Sequence, residues 1–292
     1  MAKALAILFC SLFAIATALA QKEGPLKQKD PEPFVLGVVE NLYSKVLGEN
    51  RVLNIYLPEG YKRGDTATYP VTYLLDGSAD EDFIHITGLF QFNSFSWINR
   101  VPKTIVVGIA TVDRRRDFTF PTGIEKARAA FPTAGHSDKF IAFIKNELQP
   151  FIEKKYRGTG TRTIIGQSLG GLFATQVLFQ SPALFHRYII VSPSLWWNNG
   201  SLLQHETATL ASHVSQHTAV YIAVGKEGLT PGEPPRVMEV DANLLSEKVN
   251  GVKSKTISVH FDYLPGEDHG TILHQAVFNA LRLLYPSPTT DK

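Results

Sequence analysis

Ser168 lies between Gly166 and Gly170 in the stretch IIGQSLGGLF, residues 164–173. The five residues Gly166-Gln167-Ser168-Leu169-Gly170 read G-x-S-x-G, with a β-branched run before them and an apolar helical pattern after them. At a sharp strand-to-helix turn of this kind the serine hydroxyl is thrust up at the carboxyl edge of a sheet, and glycines make room for the turn. The helix start behind it aims backbone N–H groups, that of Leu169 among them, at an oxyanion forming beside the hydroxyl. This is equipment for nucleophilic attack on a carbonyl carbon. The same string also serves as a plain glycine-rich turn with a serine cap, so the chemistry depends on the partners the chain supplies.

A serine hydroxyl attacks poorly until a base takes its proton. Where this turn is catalytic, the base follows the last strand in chain order. Nine histidines compete for the role. His205, His213 and His217 lie in a polar stretch, His260 inside a strand pattern and His274 inside the last helical pattern. His85, His136 and His186 come too early. His269, in LPGEDHGT, sits between the last strand and the last helix, where the base is expected.

An acid to orient it is expected after the preceding strand, AVYIAVG, which makes Glu227 the candidate. Asp241 and an unassisted Ser–His pair are the alternatives. Glu267 and Asp268 are too close in sequence to reach round to the far ring nitrogen. A second oxyanion donor is expected from the loop after an early strand. Here that is the backbone N–H of Ser78 in LLDGSADEDF, with Asp76 bracing the turn.

These residues need a frame. FVLGVVENLYSKVLG and NRVLNIYLP predict a hairpin about Gly48-Glu49-Asn50. Short apolar runs then alternate with helical spacing. YPVTYLLDG, KTIVVGIATV, TRTIIG, RYIIVSPS, AVYIAVG and KTISVHFDYLPG read as strands. SDKFIAFIKNELQPFIEKKY predicts a helix capped by Ser137, with Phe140, Ile141, Ile144, Leu148, Phe151 and Ile152 on one face. LGGLFATQVLFQ and PRVMEVDANLLSEKV read as further helices. TILHQAVFNALRLLY is amphipathic, with Ile272, Leu273, Ala276, Val277, Ala280, Leu281 and Leu284 inward. The alternation implies an α/β protein whose mostly parallel sheet is covered by helices on both faces.

The chain has 292 residues and a formal charge of +2, too little to indicate nucleic acid as a partner. The first twenty residues, MAKALAILFCSLFAIATALA, carry Lys3, an apolar run and a small-residue end, which reads as a secretory signal peptide. Secretion or a periplasmic location is the expectation, with no membrane span after cleavage. Cys10, the one cysteine, lies in that segment, so disulfides and thiolate metal sites are not expected after it is removed. Residues 21–33 are polar and read as loose, and one α/β domain is expected over 34–286.

The strings YLLDG, TIVVGIATVDRRRDFT, FIKNELQPFIEKKYR, TIIGQSLGGLFA, SPSLWW and PGEDHG succeed one another in an order and spacing that resembles the family called Putative esterase. That family includes relatives of enterochelin esterase and esterase D, with siderophore esterases among them. The similarity runs from about Tyr73 to Tyr285. It implies an α/β-hydrolase fold and serine ester hydrolysis, with Ser168 as nucleophile and His269 as base.

Some relatives use a Ser–His pair, which leaves the part of Glu227 open. Two departures stand near the expected mouth: Phe120 is inserted before Pro121, and Asn198 follows SPSLWW where relatives often have an acid. Arg114, Arg115 and Arg116 suit an anionic substrate such as a ferric catecholate siderophore. They equally suit Asp113 and Asp117 as loop braces. Arg114, Arg116 and Trp196 are the expected substrate contacts. The dense aromatics Phe83, Phe90, Phe92, Phe95, Trp97, Trp196 and Trp197 read as core more than pocket. The chemistry needs neither metal nor organic cofactor, and its small-molecule partner is an ester. An acyltransferase with the same machinery, or a binding protein retaining the fold, are the competing readings.

Overall fold

The computed structural model describes residues 30–205, 210, 216–231, 234–252 and 254–285. The expected signal peptide, 1–20, and most of the loose segment lie outside the described residues. The chain divides after Val35, and the unit from Leu36 onward carries the whole sheet. Residues 30–35 have no regular structure and are exposed.

The predicted hairpin is β1 (Gly37–Ser44) with β2 (Glu49–Tyr56), closed through a turn in which Gly48 takes φ +72°. Its turn comes slightly earlier than expected, since Glu49 and Asn50 already pair with Ser44 and Tyr43. Among the described residues six more strands come after it: β3 (Tyr69–Leu74), β4 (Ile105–Ile109), β5 (Gly158–Gln167), β6 (Arg187–Val191), β7 (Thr218–Gly225) and β8 (Ile257–Leu264). They form one sheet in the order β1-β2-β4-β3-β5-β6-β7-β8. β1–β2 and β2–β4 are antiparallel, and every pairing from β4 to β8 is parallel.

The helices delimited among the described residues are α1 (Phe83–Asn93), α2 (Arg114–Phe118), α3 (Glu125–Ala130), α4 (Ser137–Phe143), α5 (Gln149–Tyr156), α6 (Leu169–Gln180), α7 (Trp197–Gln204), α8 (Met238–Asn250) and α9 (Ile272–Leu284). The central strands are apolar on both faces because both faces are covered. β4 and β7 are buried at every position. Alternate residues feed two cores. Val71, Tyr73, Val107, Ile164, Ile190 and Ile222 pack with Phe140, Phe173 and Leu245 on one side. Leu74, Val106, Ile165, Ile189 and Tyr221 pack with Phe90 of α1 and the inward face of α9 on the other. All seven residues assigned to that α9 face are buried.

The long helical stretch differs from the regular pattern. A π-helical turn, Ile144–Leu148, joins α4 to α5. Such a turn holds more residues than an α turn and rotates the helix beyond it about its axis. Phe151 is accordingly half-buried, while Phe143 and Tyr156 enter the core. Ser137 is the first helical residue rather than the cap; its buried hydroxyl donates to Gln176 Oε1 of α6 at 2.7 Å.

From β3 the next strand is added on one side of it, and β5 on the other. The crevice between the carboxyl ends of β3 and β5 is therefore the topological switch point, where open α/β sheets bind ligands. Ser168 comes directly after β5 and Ser78 shortly after β3, so the fold delivers both to this crevice.

Candidate active site

Ser168 stands at φ +59°, ψ −119°, a conformation that non-glycine residues keep only when the surroundings impose it. The crowding that imposes it is measurable at the glycines. A Cβ on Gly166 would lie 2.3 Å from Gly170 O, and one on Gly171 would lie 2.9 Å from Pro193 Cα. The Ser168 N–H donates to Val191 O at 3.0 Å. Leu169 opens α6, and first-turn N–H groups have no partner within their own helix.

His269 and Glu227 meet across 42 residues of chain. His269 Nδ1 lies 2.5 Å from Glu227 Oε2. The glutamate side chain is 4 % exposed and that of the histidine 47 %. Burial pushes the Glu227 carboxyl up, but hydrogen bonds from His269 and Ser192, with the histidine's charge and the Gly225 N–H, outweigh it and hold the carboxyl below its ordinary value. An ionised Glu227 accepts, so the proton of that contact is carried by His269 Nδ1 and Nε2 is left for the cavity.

Neighbouring groups fix both loops. Glu239 of α8 accepts from the N–H groups of Glu227 and Gly228 at 2.7 and 3.0 Å. Gln167, beside Ser168, donates through its amide to His269 O. Asp268 accepts from the N–H groups of Gly270 and Thr271, starting α9. Asp241, the alternative acid, is taken by Arg236 at 2.6 and 2.7 Å.

Ser168, His269 and Glu227 line one cavity of about 490 Å³, together with Ser194, Trp196, Lys226 and Met238. The Ser168 hydroxyl makes its hydrogen bond with Ser194 Oγ, at 3.3 Å, rather than with His269. Such contacts are often long or elsewhere before substrate binds. A second cavity, about 250 Å³, joins Ser168, Leu169 and Ser194 to Arg114, Arg115, Phe131 and Trp196.

Matched over residues 44–267, the sequence fits the family described as Putative esterase. The chain belongs to that family. It is 32 % identical over 253 residues to the ferri-bacillibactin esterase BesA of Bacillus subtilis, across 82 % of this chain and 86 % of that one. The BES protein from Bacillus cereus superposes with a TM-score of 0.75 at 29 % identity, covering 90 % of this chain and all of the other. An IroE-like serine hydrolase from Shewanella oneidensis gives 0.74 at 29 % identity, covering 85 % and 80 %. This esterase has the α/β-hydrolase fold and is a carboxylic ester hydrolase.

Within the esterase fold the three arginines separate. Arg114 holds Asp76 at 2.9 and 3.0 Å and the Gln167 carbonyl at 3.1 Å, bracing the turn below the serine while still touching the smaller cavity. Arg116, expected at the substrate, instead pairs with Glu49 and Asp117 and does not line either cavity that Ser168 lines. α2 carries only five residues, so consecutive arginines leave it in different directions. Arg115, one of the three arginines suited to an anionic substrate but not among the chosen contacts, faces the cavity with its guanidinium carbon 4.6 Å over the Phe131 ring.

Trp196 is in the cavity wall as expected, and Trp197 is core, its indole donating to Phe120 O at 2.9 Å. The inserted Phe120 is thus part of the frame. So is Asn198, whose side-chain oxygen accepts from Thr122 Oγ1 at 2.8 Å. Phe83 and Phe90 are buried, whereas Trp97 is 75 % exposed beyond the end of α1. In the β3–α1 loop, Gly77 N–H is engaged by Ile109 O and the Ser78 carbonyl accepts from Glu81 and Phe83. Ser78 is not among the residues lining the two cavities. Sequence reasoning missed Ser192, Ser194 and Glu239; SPS after a strand end is the one visible sign of the first two.

Proposed function

We propose that this esterase cleaves siderophore-type esters through an acyl-enzyme on Ser168, with His269 as base and Glu227 as the acid that orients it. The observation that carries the reading is the buried Glu227 carboxylate held on His269 Nδ1, in the cavity that also holds the strained serine. The substrate class is drawn from BesA, named as a ferri-bacillibactin esterase, together with the cations on the two cavities that Ser168 lines, Lys226 on one and Arg115 on the other.

The ester carbonyl enters above Ser168. His269 Nε2 takes the hydroxyl proton as the oxygen forms its bond to carbon. The tetrahedral oxyanion receives a hydrogen bond from the Leu169 N–H; the Ser78 N–H, in the β3–α1 loop outside the two cavities, serves as second donor only if that loop closes on the substrate. His269 then gives its proton to the leaving alcohol as the C–O bond breaks. Water repeats the sequence on the acyl-enzyme and releases the acid. The same machinery could pass the acyl group to an alcohol, and the family membership favours water as the acceptor. The 1–20 segment supports secretion or a periplasmic location.

The test is a hydrolysis screen of wild type and Ser168→Ala against short-acyl, feruloyl and catecholate trilactone esters. The reading requires the highest kcat/KM on trilactones and a loss of about a thousandfold or more in the variant. Broad short-acyl activity without trilactone cleavage contradicts the substrate class. Equal rates in the two proteins contradict the nucleophile.

A further inference from the structure

We propose that Ser192 is a positioning residue that fixes the Glu227 carboxylate for His269, an inference that rests on the triad reading above. The tripeptide Ser192-Pro193-Ser194 leaves the end of β6 and touches both ends of the reacting group. At one end the Ser192 hydroxyl donates to Glu227 Oε1, while Oε2 faces His269 Nδ1. At the other, the Ser194 N–H donates to the Ser168 carbonyl at 3.0 Å and its hydroxyl lies 3.3 Å from Ser168 Oγ. Each carboxylate oxygen thus has its own partner, and a short loop ties the acid to the nucleophile turn.

Ser192 is itself held fast. It is fully buried, its N–H donates to Ala223 O at 2.7 Å, and its φ is +42°. Glycine adopts a positive φ at lower cost. What glycine lacks is the hydroxyl, and the hydroxyl is what reaches Glu227. Among the described residues Oε1 otherwise receives only the Gly225 N–H, at 3.2 Å. Without Ser192 a buried carboxylate oxygen keeps one long hydrogen bond, and the terminal torsion of a glutamate is soft. The imidazole then loses its fixed orientation in part of the population. Turnover suffers and substrate binding does not, because Ser192 does not line the cavity.

The experiment measures kcat and KM on p-nitrophenyl acetate for Ser192→Ala and Ser192→Gly, each alone and combined with Glu227→Gln, in the full-length protein. Both single variants are expected to lose about tenfold in kcat, the scale of one hydrogen bond to a charged group, with KM within about twofold. In the Glu227→Gln background the same changes should cost less than about twofold, because the partner is already gone. The glycine variant relieves the positive φ, so its loss does not reflect misfolding. Wild-type kcat in either single variant overturns the proposal. So does an equal loss in both backgrounds, which marks a purely structural part. If Glu227→Gln alone leaves kcat unchanged, the inference falls while the hydrolase reading stands; that reading fails separately, through an active Ser168→Ala.

Discussion

At the scale of single residues, the proposed triad depends on a carboxylate kept ionised where burial works against it. Four kinds of contact oppose the desolvation of Glu227: His269, Ser192, the histidine charge and a backbone N–H. Removing the charge but keeping the shape should be costly, because the histidine is then no longer held in the donor-at-Nδ1 form. Glu227→Gln is expected to lower kcat by about a hundredfold to ten-thousandfold, read from steady-state kinetics on an aryl ester. A change of under threefold would mean that Ser168 and His269 work as a pair. That Ser168 and His269 line one cavity could be anticipated from sequence, because one lies in a motif and the other has a fixed chain order. Glu227 is legible only as one of several acids, since orientation by a carboxylate is a tertiary contact. The three adjacent arginines cannot be told apart for the same reason: the short turn of α2, invisible in the sequence, sends each to a different partner.

At the scale of elements, the β-branched runs and the inward face of α9 place the sheet and its last helix correctly. The π-helical turn between α4 and α5 escapes, because a single added residue leaves the apolar pattern readable on either side of it. α1 and α9 begin directly after the β3 and β8 loops, and a histidine pair joins their first turns. His85 Nδ1 lies 3.2 Å from His274 Nδ1, and His85 Nε2 lies 3.1 Å from Asp82. Burial, and then the neighbouring His85, hold the His274 imidazole below the ordinary histidine value, with Glu267 opposing. Between that lowered value and the ordinary one, the unfolded chain binds more protons than the native one. The stabilisation is therefore present above the ordinary value, about 6.5, and is lost as pH falls through the lower native value. Thermal melts should show Tm falling from about pH 7 to about pH 5, with a shallower fall in His274→Gln. An unchanged slope in the variant would remove this pair from the account.

At the scale of the whole molecule, a sheet whose strand order reverses between β3 and β5 gathers loops from distant parts of the chain at one rim. Net charge is nearly balanced, so any attraction for an anionic ester comes from local placement, with Arg115 and Lys226 on the cavity walls. Arg115→Ala should raise KM for an anionic trilactone several-fold and leave a neutral aryl acetate unaffected. Added salt should weaken only the first in wild type, as expected for a screened surface charge. Equal effects on both substrates would point to a packing role over Phe131 instead.

The most direct test of the convergence of residues 168, 227 and 269 is the rate of labelling by a fluorophosphonate, measured by intact-protein mass spectrometry and peptide mapping. Wild type should gain one adduct, at Ser168, and His269→Ala should label at least about a hundredfold more slowly. Labelling of Ser168 at the same rate without the imidazole, or an adduct at another serine, would contradict the account.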